Sequence, residues 1–182
     1  MRQRARDAYL VVAAQTGDRA AFALLVPRWH GRLLAHALRL TRRRDVAEDA
    51  VQAAWVEIVR GLPMLRDERA FPAWAFRIVT RRLMKSFGRG ALEIGIDAAE
   101  AEAEVGDAAV AGESVILDRT DLGRAMAALS PVQRAAVALH YFEGLSVAEV
   151  AVALEVPAGT VKTRLMHARA HLRTYLKGVD HA

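Results

Sequence analysis

The chain of 182 residues contains no cysteine, which excludes disulfides and thiolate metal sites from its chemistry. It also lacks an apolar run approaching the roughly 20 residues that a membrane span requires, so no membrane insertion is expected. The N-terminus has arginines, but Asp7 and the short apolar run after it match a secretory signal peptide poorly. These absences are consistent with a protein of the reducing cytoplasm, which is the predicted location.

Positive charge is absent from the middle of the chain. Residues 90–118 contain no lysine or arginine and eight acidic residues, whereas residues 1–89 hold 18 basic and 8 acidic residues. Residues 119–182 hold 8 basic and 5 acidic residues, and the whole chain has a net charge of +5. The acidic stretch has no aromatic residue and can bury little surface. The pattern predicts two domains, 1–89 and 119–182, joined by a flexible acidic linker, 90–118.

Strand-like alternation is absent from the N-terminal domain, where the apolar residues follow helical spacings. Asp18 is a natural N-cap for a helix whose apolar face includes Leu25, Trp29 and Leu33. After a break near residues 41–44, a further helix is expected, and its predicted buried side consists of Val46, Ala50, Ala53, Val56 and Leu62. We therefore predict an all-α fold of two small helical domains.

Two short helices around a tight turn are predicted within the stretch Leu145–Leu172. Ser146 is a favoured N-cap, and Glu149, three residues later, completes a capping box for the first helix. Pro157 disfavours helical geometry at the residue before it, so the first helix ends there. The second helix has apolar residues at spacings of 4, 3 and 4, which form one stripe: Val161, Leu165, Ala168 and Leu172.

The other face of this second helix is polar and basic. No acidic residue occurs between Val161 and Tyr175, whereas an ordinary solvent-exposed helix mixes both signs of charge. Such a face suits phosphates at its edges and base edges at its centre, so a DNA-binding helix-turn-helix is predicted. An ordinary helical hairpin with a solvated basic face is the alternative. The candidate DNA-binding residues are Thr160, Lys162, Thr163, Arg164, Met166, His167 and Arg169.

The sequence LSPVQRAAVALHYFEGLSVAEVAVALEVPAGTVKTRLMHARAHLR, residues 129–173, resembles region 4 of the extracytoplasmic-function (ECF) sigma factors of bacterial RNA polymerase. The resemblance implies that the helix-turn-helix contacts the minus-35 promoter element. One position departs from the family pattern, because Glu155 stands where the family usually has glycine in the turn. If this position requires a positive φ, a residue other than glycine costs on the order of 1 kcal/mol.

The sequence DVAEDAVQAAWVEIVRGLPMLRDERAFPAWAFRIVTRRL, residues 45–83, resembles regions 2.2 to 2.4 of the same family. The resemblance implies that Glu48, Asp49 and Gln52 dock on the clamp helices of the core polymerase. Two adjacent carboxylates on a helix are, taken alone, more often solvated surface.

In the family, the loop and helix that follow melt the minus-10 element and capture an extruded base. Extrusion costs a few kcal/mol, so cationic strand contacts must offset it. The residues implied here are Arg66, Asp67, Glu68, Arg77, Arg81, Arg82 and Lys85. Arg81 and Ala75 stand where the family often has asparagine and leucine, so base preference does not transfer. Phe71, Trp74 and Ile78 are interpreted as core residues.

The resemblance covers about residues 8–177 and implies a promoter-recognition subunit of RNA polymerase. Its expected partners are core polymerase, promoter DNA and an anti-sigma factor, and no cofactor or catalytic residue is expected. A stand-alone helix-turn-helix regulator is the alternative function. An enzyme with a metal on His30, His36 or the cluster of Asp45, Glu48 and Asp49 is disfavoured. Histidines six residues apart do not share a helix face, and no phosphate-binding glycine loop is present.

Overall fold

The structure is a computed structural model, and it describes residues 2–93 and 121–179. Eight α-helices occur in these ranges, and the described residues contain no strand, which confirms the predicted all-α class. The helices are α1 (Arg2–Gln15), α2 (Arg19–Thr41), α3 (Arg44–Gly61), α4 (Phe71–Glu93), α5 (Asp121–Ala127), α6 (Pro131–Val137), α7 (Val147–Leu154) and α8 (Ala158–Val179). Two 3-10 turns, Leu62–Met64 and Glu68–Ala70, connect α3 to α4, and a π-helical turn, Ala138–Phe142, extends α6.

Helix α4 continues to Glu93, which places residues 90–93 of the predicted linker inside a helix. The rest of the predicted linker, 94–118, lies outside the described residues, and so does its predicted flexibility. The domain boundaries drawn from charge and composition therefore stay a prediction.

Helices α1 to α4 surround a core centred on Trp29, whose side chain is 1% exposed. Its ring meets the rings of Phe71 and Phe76 edge-on, with centroids 5.1 and 5.9 Å apart. Phe71 and Ile78 are buried and Trp74 is partly buried, which confirms their interpretation as core residues. Asp18 caps α2 as predicted, because its carboxylate accepts hydrogen bonds from the next two backbone N–H groups of the first turn.

The predicted buried side of α3 is only partly correct, because Leu62 at the end of the helix is buried and Val46 and Ala50 are partly buried against the core, whereas other positions differ. The buried residues are Ala47, Val51, Ala54 and Ile58, whereas Val56 is 50% exposed. Alanine and valine occur on both faces of this helix, so two apolar stripes compete in the sequence. The helix buries the stripe that meets α2 and α4, and the other stripe is partly buried at Val46 and Ala50 and exposed at Val56. The choice between the stripes depends on neighbours distant in sequence.

The helix-turn-helix forms as the sequence predicts. Ser146 and Glu149 make a reciprocal capping box at the start of α7. Glu155 ends α7 in the left-handed region, with φ 55° and ψ 41°. The N–H of Val156 donates to the carbonyl of Ala151, and the N–H of Glu155 donates to that of Val152, which together form a Schellman motif. The turn therefore requires a positive φ at Glu155, where a residue other than glycine costs on the order of 1 kcal/mol.

The helices of the two predicted domains are in contact, and α7 lies against α4. The contact also includes α2 and the end of the π-helical turn, where the Glu143 side chain is only 5% exposed. The Glu143 carboxylate accepts hydrogen bonds from Arg39 Nη1 at 2.9 Å and from Arg32 Nε at 3.3 Å, both on α2. Arg39 also lies 4.5 Å from the ring centroid of Phe142. A buried carboxylate thus joins the two domains through two guanidinium groups.

Two other carboxylates of the C-terminal domain also pair with arginines of the N-terminal domain. Glu149 lies 3.0 Å from Arg4, and Glu155 lies 3.8 Å from Arg77. Partial burial raises the pKa of Glu149, but hydrogen bonds from Ser146 and the Arg4 guanidinium outweigh it, so that the pKa is lowered overall. Acidic residues from one domain therefore face basic residues of the other along the contact.

Candidate nucleic-acid and polymerase interfaces

Helix α8 packs through its predicted stripe, because Val161, Leu165 and Ala168 are buried. Burial of these residues turns the polar face of the helix outwards. On that face Lys162, Thr163, Met166, His167 and Arg169 are exposed, while Thr160 and Arg164 are partly exposed. The structure therefore brings the candidate minus-35 residues together on one helical surface.

Two residues on this surface also bond to their own helix. The Thr163 hydroxyl donates to the Gly159 carbonyl at 3.2 Å, and Arg169 Nε donates to the Leu165 carbonyl at 3.2 Å. Thr163 uses its single hydroxyl proton and keeps acceptor capacity, whereas Arg169 uses one of five N–H donors. Arg169 is therefore suited to a phosphate at the edge of the helix.

Three of the candidate minus-10 cations on α4, Arg77, Arg81 and Arg82, are paired with acidic side chains. Glu57 on α3 accepts from Arg81 and, at 3.0 Å, from Arg82, while Arg77 faces Glu155. These pairs are partly exposed, and exposed ion pairs are weak, so a DNA phosphate can compete with the carboxylates. Sequence reasoning missed Glu57, since no local pattern links it to residues 24 and 25 positions later.

The candidate minus-10 loop precedes α4. Arg66 and Asp67 are exposed, and Glu68 is partly exposed. Asp67 has a structural part, because its Oδ1 accepts from the N–H of Arg69 at 2.9 Å and caps the second 3-10 turn. Of these three residues, Arg66 is the exposed cation beside the cap.

The candidate polymerase-binding residues lie together on α3. Glu48, Asp49 and Gln52 are all exposed, and Glu48 pairs with Arg44 at 2.8 Å. Beside them is an open apolar depression of about 440 Å³, in which Val59 is 50% exposed. It is lined by Phe22, Val26, Gln52, Trp55, Val56, Val59 and Arg60. An apolar centre with a polar rim is the usual anatomy of a protein–protein interface.

The histidines considered as metal ligands are separated. His30 is exposed, whereas His36 is fully buried and shares a hydrogen bond of 2.8 Å between its Nε2 and the Thr80 hydroxyl. Burial, with a smaller effect of Arg39, lowers the pKa of His36 to about 3. Across residues 2–93 and 121–179, no group of three or more His, Asp or Glu side chains is arranged to hold a metal. In the same ranges, none of the helices combines the length and the apolar character needed to cross a membrane.

Family models match both halves of the chain. The model of sigma-70 region 2 matches residues 25–91, and the model of sigma-70 region 4 matches residues 119–172. The ECF RNA polymerase sigma-E factor of Escherichia coli K12 is 31% identical over 179 residues, which cover 93% of each chain. The RNA polymerase sigma-H factor of Pseudomonas aeruginosa is 29% identical over 174 residues, which cover 90% of each chain.

Solved structures show the same architecture. The sigma factor RpoE, in complex with the anti-sigma factor NepR from Bartonella quintana, superposes with a TM-score of 0.67 at 25% identity. That match covers 86% of this chain and 96% of the other. CnrH, in complex with the cytosolic domain of CnrY, has the same fold, with a TM-score of 0.69 over 95% of this chain and 98% of the other at 24% identity.

A stand-alone regulator is not favoured, because one chain matches both sigma regions in order. From these matches and the identity to sigma-E over nearly its full length, the chain belongs to the ECF sigma factors of RNA polymerase.

Proposed function

We propose that this sigma factor binds core RNA polymerase and directs transcription initiation at promoters with minus-10 and minus-35 elements. The observation that carries the proposal is the outer face of α8. It is a continuous basic and polar surface without an acidic side chain between residues 161 and 175. A recognition helix with this surface suits the major groove.

Binding of the minus-35 element is assigned to α8. Thr163, Met166 and His167 lie opposite the buried stripe, and with the exposed Lys162 beside them they are assigned to the bases. Arg164 and Arg169, nearer the stripe, are assigned to phosphates. Lysine is a donor to the guanine edge in the major groove, and arginine at an edge neutralises a phosphate.

The minus-10 element is assigned to the loop 65–68 and to the outer row of α4. Arg66 beside the capped turn and Arg81, Arg82 and Lys85 along the helix supply positive charge to a separated strand. Glu57 pairs with two of these arginines in the free protein, so strand binding exchanges a carboxylate for a phosphate.

Binding of core polymerase is assigned to the exposed face of α3. Glu48, Asp49 and Gln52 are exposed on this face, and Gln52 also lines the apolar depression in which Val56 and Val59 are exposed. An apolar patch of this kind on a protein surface marks an interaction site.

An anti-sigma factor is the proposed regulator, because the structural relative RpoE was solved with the anti-sigma factor NepR. The proposed role is that of an initiation factor rather than of an enzyme. Its place of action is the cytoplasm, where the polymerase and the promoter are found.

The test is run-off transcription with core polymerase across a genomic promoter library, with and without the chain. A defined set of transcripts should appear only when the chain is present. Transcripts that are unchanged by the chain, together with an inverted-repeat footprint from the chain alone, would support a stand-alone regulator instead.

A further inference from the structure

One side chain of α1 holds the base of the candidate minus-10 loop. The Gln15 amide nitrogen donates to the Leu62 carbonyl at 2.9 Å and to the Leu65 carbonyl at 2.7 Å. A primary amide has two N–H donors, so both are used in this contact. The contact joins positions 47 and 50 residues apart in the chain, and nothing in the local sequence indicates it.

The two carbonyl groups lie where the loop leaves α3. Leu62 begins the first 3-10 turn, and the N–H of Leu65 returns to its carbonyl at 3.1 Å. The Leu65 carbonyl belongs to the peptide that leads directly into Arg66. The orientation of this peptide sets the direction in which the loop continues. At the other end of the loop, the Asp67 side chain caps the second 3-10 turn. Arg66 is therefore held between two fixed points.

Helix α1 is itself well anchored. Asp7 is 6% exposed and accepts hydrogen bonds from Arg28 Nε at 2.9 Å and from Arg28 Nη2 at 2.7 Å. Leu10 and Val11 on the same helix are buried, and the helix packs against both 3-10 turns. A side chain on such a rigid element can hold a loop at a defined position.

We propose that Gln15 is a positioning residue for capture of the extruded minus-10 base. It acts through the 65–66 peptide and does not touch DNA itself. The inference rests on the proposed minus-10 role of residues 65–68. Because base extrusion costs a few kcal/mol, a loop already held in its receiving position avoids a further ordering cost at that step.

Gln15→Met removes both donors at similar size, and Gln15→Glu places a carboxylate against two carbonyl oxygens. Thr16→Val is the matched control, since the Thr16 hydroxyl bonds only within its own helix turn, to Ala13. Each full-length variant is assembled with core polymerase on a promoter carrying 2-aminopurine in the minus-10 element. Promoter opening is followed by fluorescence, core affinity and minus-35 discrimination are measured separately, and thermal unfolding checks the fold.

Gln15→Met should slow promoter opening about tenfold, which is the order of two lost neutral hydrogen bonds, and Gln15→Glu should slow it further. Core affinity and minus-35 discrimination should match those of Thr16→Val. Opening at the wild-type rate in both Gln15 variants would overturn the inference. Losses of core affinity and minus-35 binding as large as the loss in promoter opening would also overturn it, because Gln15 would then stabilise the whole fold and not the loop alone.

Arg66→Ala separates this inference from the proposed function. If Gln15 acts through the loop, the opening rate of the double variant Gln15→Met/Arg66→Ala should fall by less than the product of the fold-losses in the two single variants. Multiplicative losses would overturn the positioning role and leave the minus-10 assignment intact. Normal opening in Arg66→Ala, with the correct fold, would instead overturn the minus-10 role of Arg66.

Discussion

At the scale of single residues, His36 makes stability depend on pH. Its pKa of about 3 in the folded chain lies below the ordinary value of 6.5, because burial disfavours the imidazolium. The unfolded chain therefore binds the proton more readily than the folded chain. The stabilising contribution is complete above pH 6.5 and is lost as pH falls from 6.5 towards 3.

We predict that lowering the pH from 7.5 to 5 costs about 2 kcal/mol of folding free energy through His36. Urea unfolding at the two pH values measures this difference. His36→Gln keeps an amide near Thr80 without titrating, so its stability should change less with pH. An equal loss in the variant and the wild type would assign the acid sensitivity to other groups.

Two residues of α8 should differ in their effect on DNA binding. Replacement of Lys162 by alanine should cost about 1–3 kcal/mol at the preferred minus-35 sequence and relax discrimination there. Arg169→Ala should weaken all sequences about equally and lower the salt slope by about one unit. Fluorescence anisotropy with cognate and scrambled duplexes at several salt concentrations measures both effects.

Either prediction for α8 can fail separately. If Lys162→Ala weakens both duplexes equally, Lys162 does not contact a base. If Arg169→Ala lowers thermal stability and leaves the salt slope unchanged, the contact of Arg169 with the Leu165 carbonyl is its main role.

At the scale of the element, α3 combines a buried stripe with an exposed one. We predict that Asp49→Lys weakens the association with core polymerase at least tenfold, because it reverses a charge on the exposed face of α3, one turn from Gln52 at the apolar depression. Co-purification with core polymerase and helical content by circular dichroism measure binding and fold. Asp121→Lys is a control, because this carboxylate is exposed and pairs with Arg124 within α5. Unchanged co-purification of Asp49→Lys would contradict the assignment.

At the scale of the whole molecule, the contact between the two domains restricts DNA binding. Helix α7 contacts both α4 and α8, so the axes of these two helices lie at most about 20 Å apart beside α7, which is two helix spacings. Promoter elements 25 base pairs apart lie about 85 Å apart along DNA. If α4 and α8 bind the minus-10 and minus-35 elements as proposed, simultaneous binding of both elements requires the domains to separate.

Glu143 should control this separation. We predict that Glu143→Gln lowers the folding free energy by about 1–2 kcal/mol, since it leaves two partly buried arginines without their carboxylate. Because the chain has no cysteine, labels at Gly31→Cys and His171→Cys can report the distance by fluorescence transfer. The transfer should fall in Glu143→Gln and with added salt, whereas Asp121→Asn should behave as wild type. Equal transfer in all three proteins would show that Glu143 does not hold the contact.

The sequence determined the features that depend on neighbours within one helical turn or one helix face. Asp18 and the two capping-box residues of α7, Ser146 and Glu149, cap their helices as predicted, because a side-chain oxygen needs only the next backbone N–H groups. The stripe beginning at Val161 fixed the outward face of α8, since its periodicity is unambiguous. For the same reason, the helical class and the family were apparent from local pattern alone.

Only the tertiary structure decided which face of α3 is buried, because apolar residues occur on both of its faces. It also decided the partners of three polar side chains. The partner of Arg81 is 24 residues away in the chain, those of Glu143 are at least 104 residues away, and those of Gln15 are at least 47 residues away. A charged or amide side chain is compatible with many partners, and the sequence does not specify which one packing brings within hydrogen-bonding distance. Those pairings follow from how the helices pack around Trp29 and along α7, where burial of apolar surface fixes the positions of the polar groups.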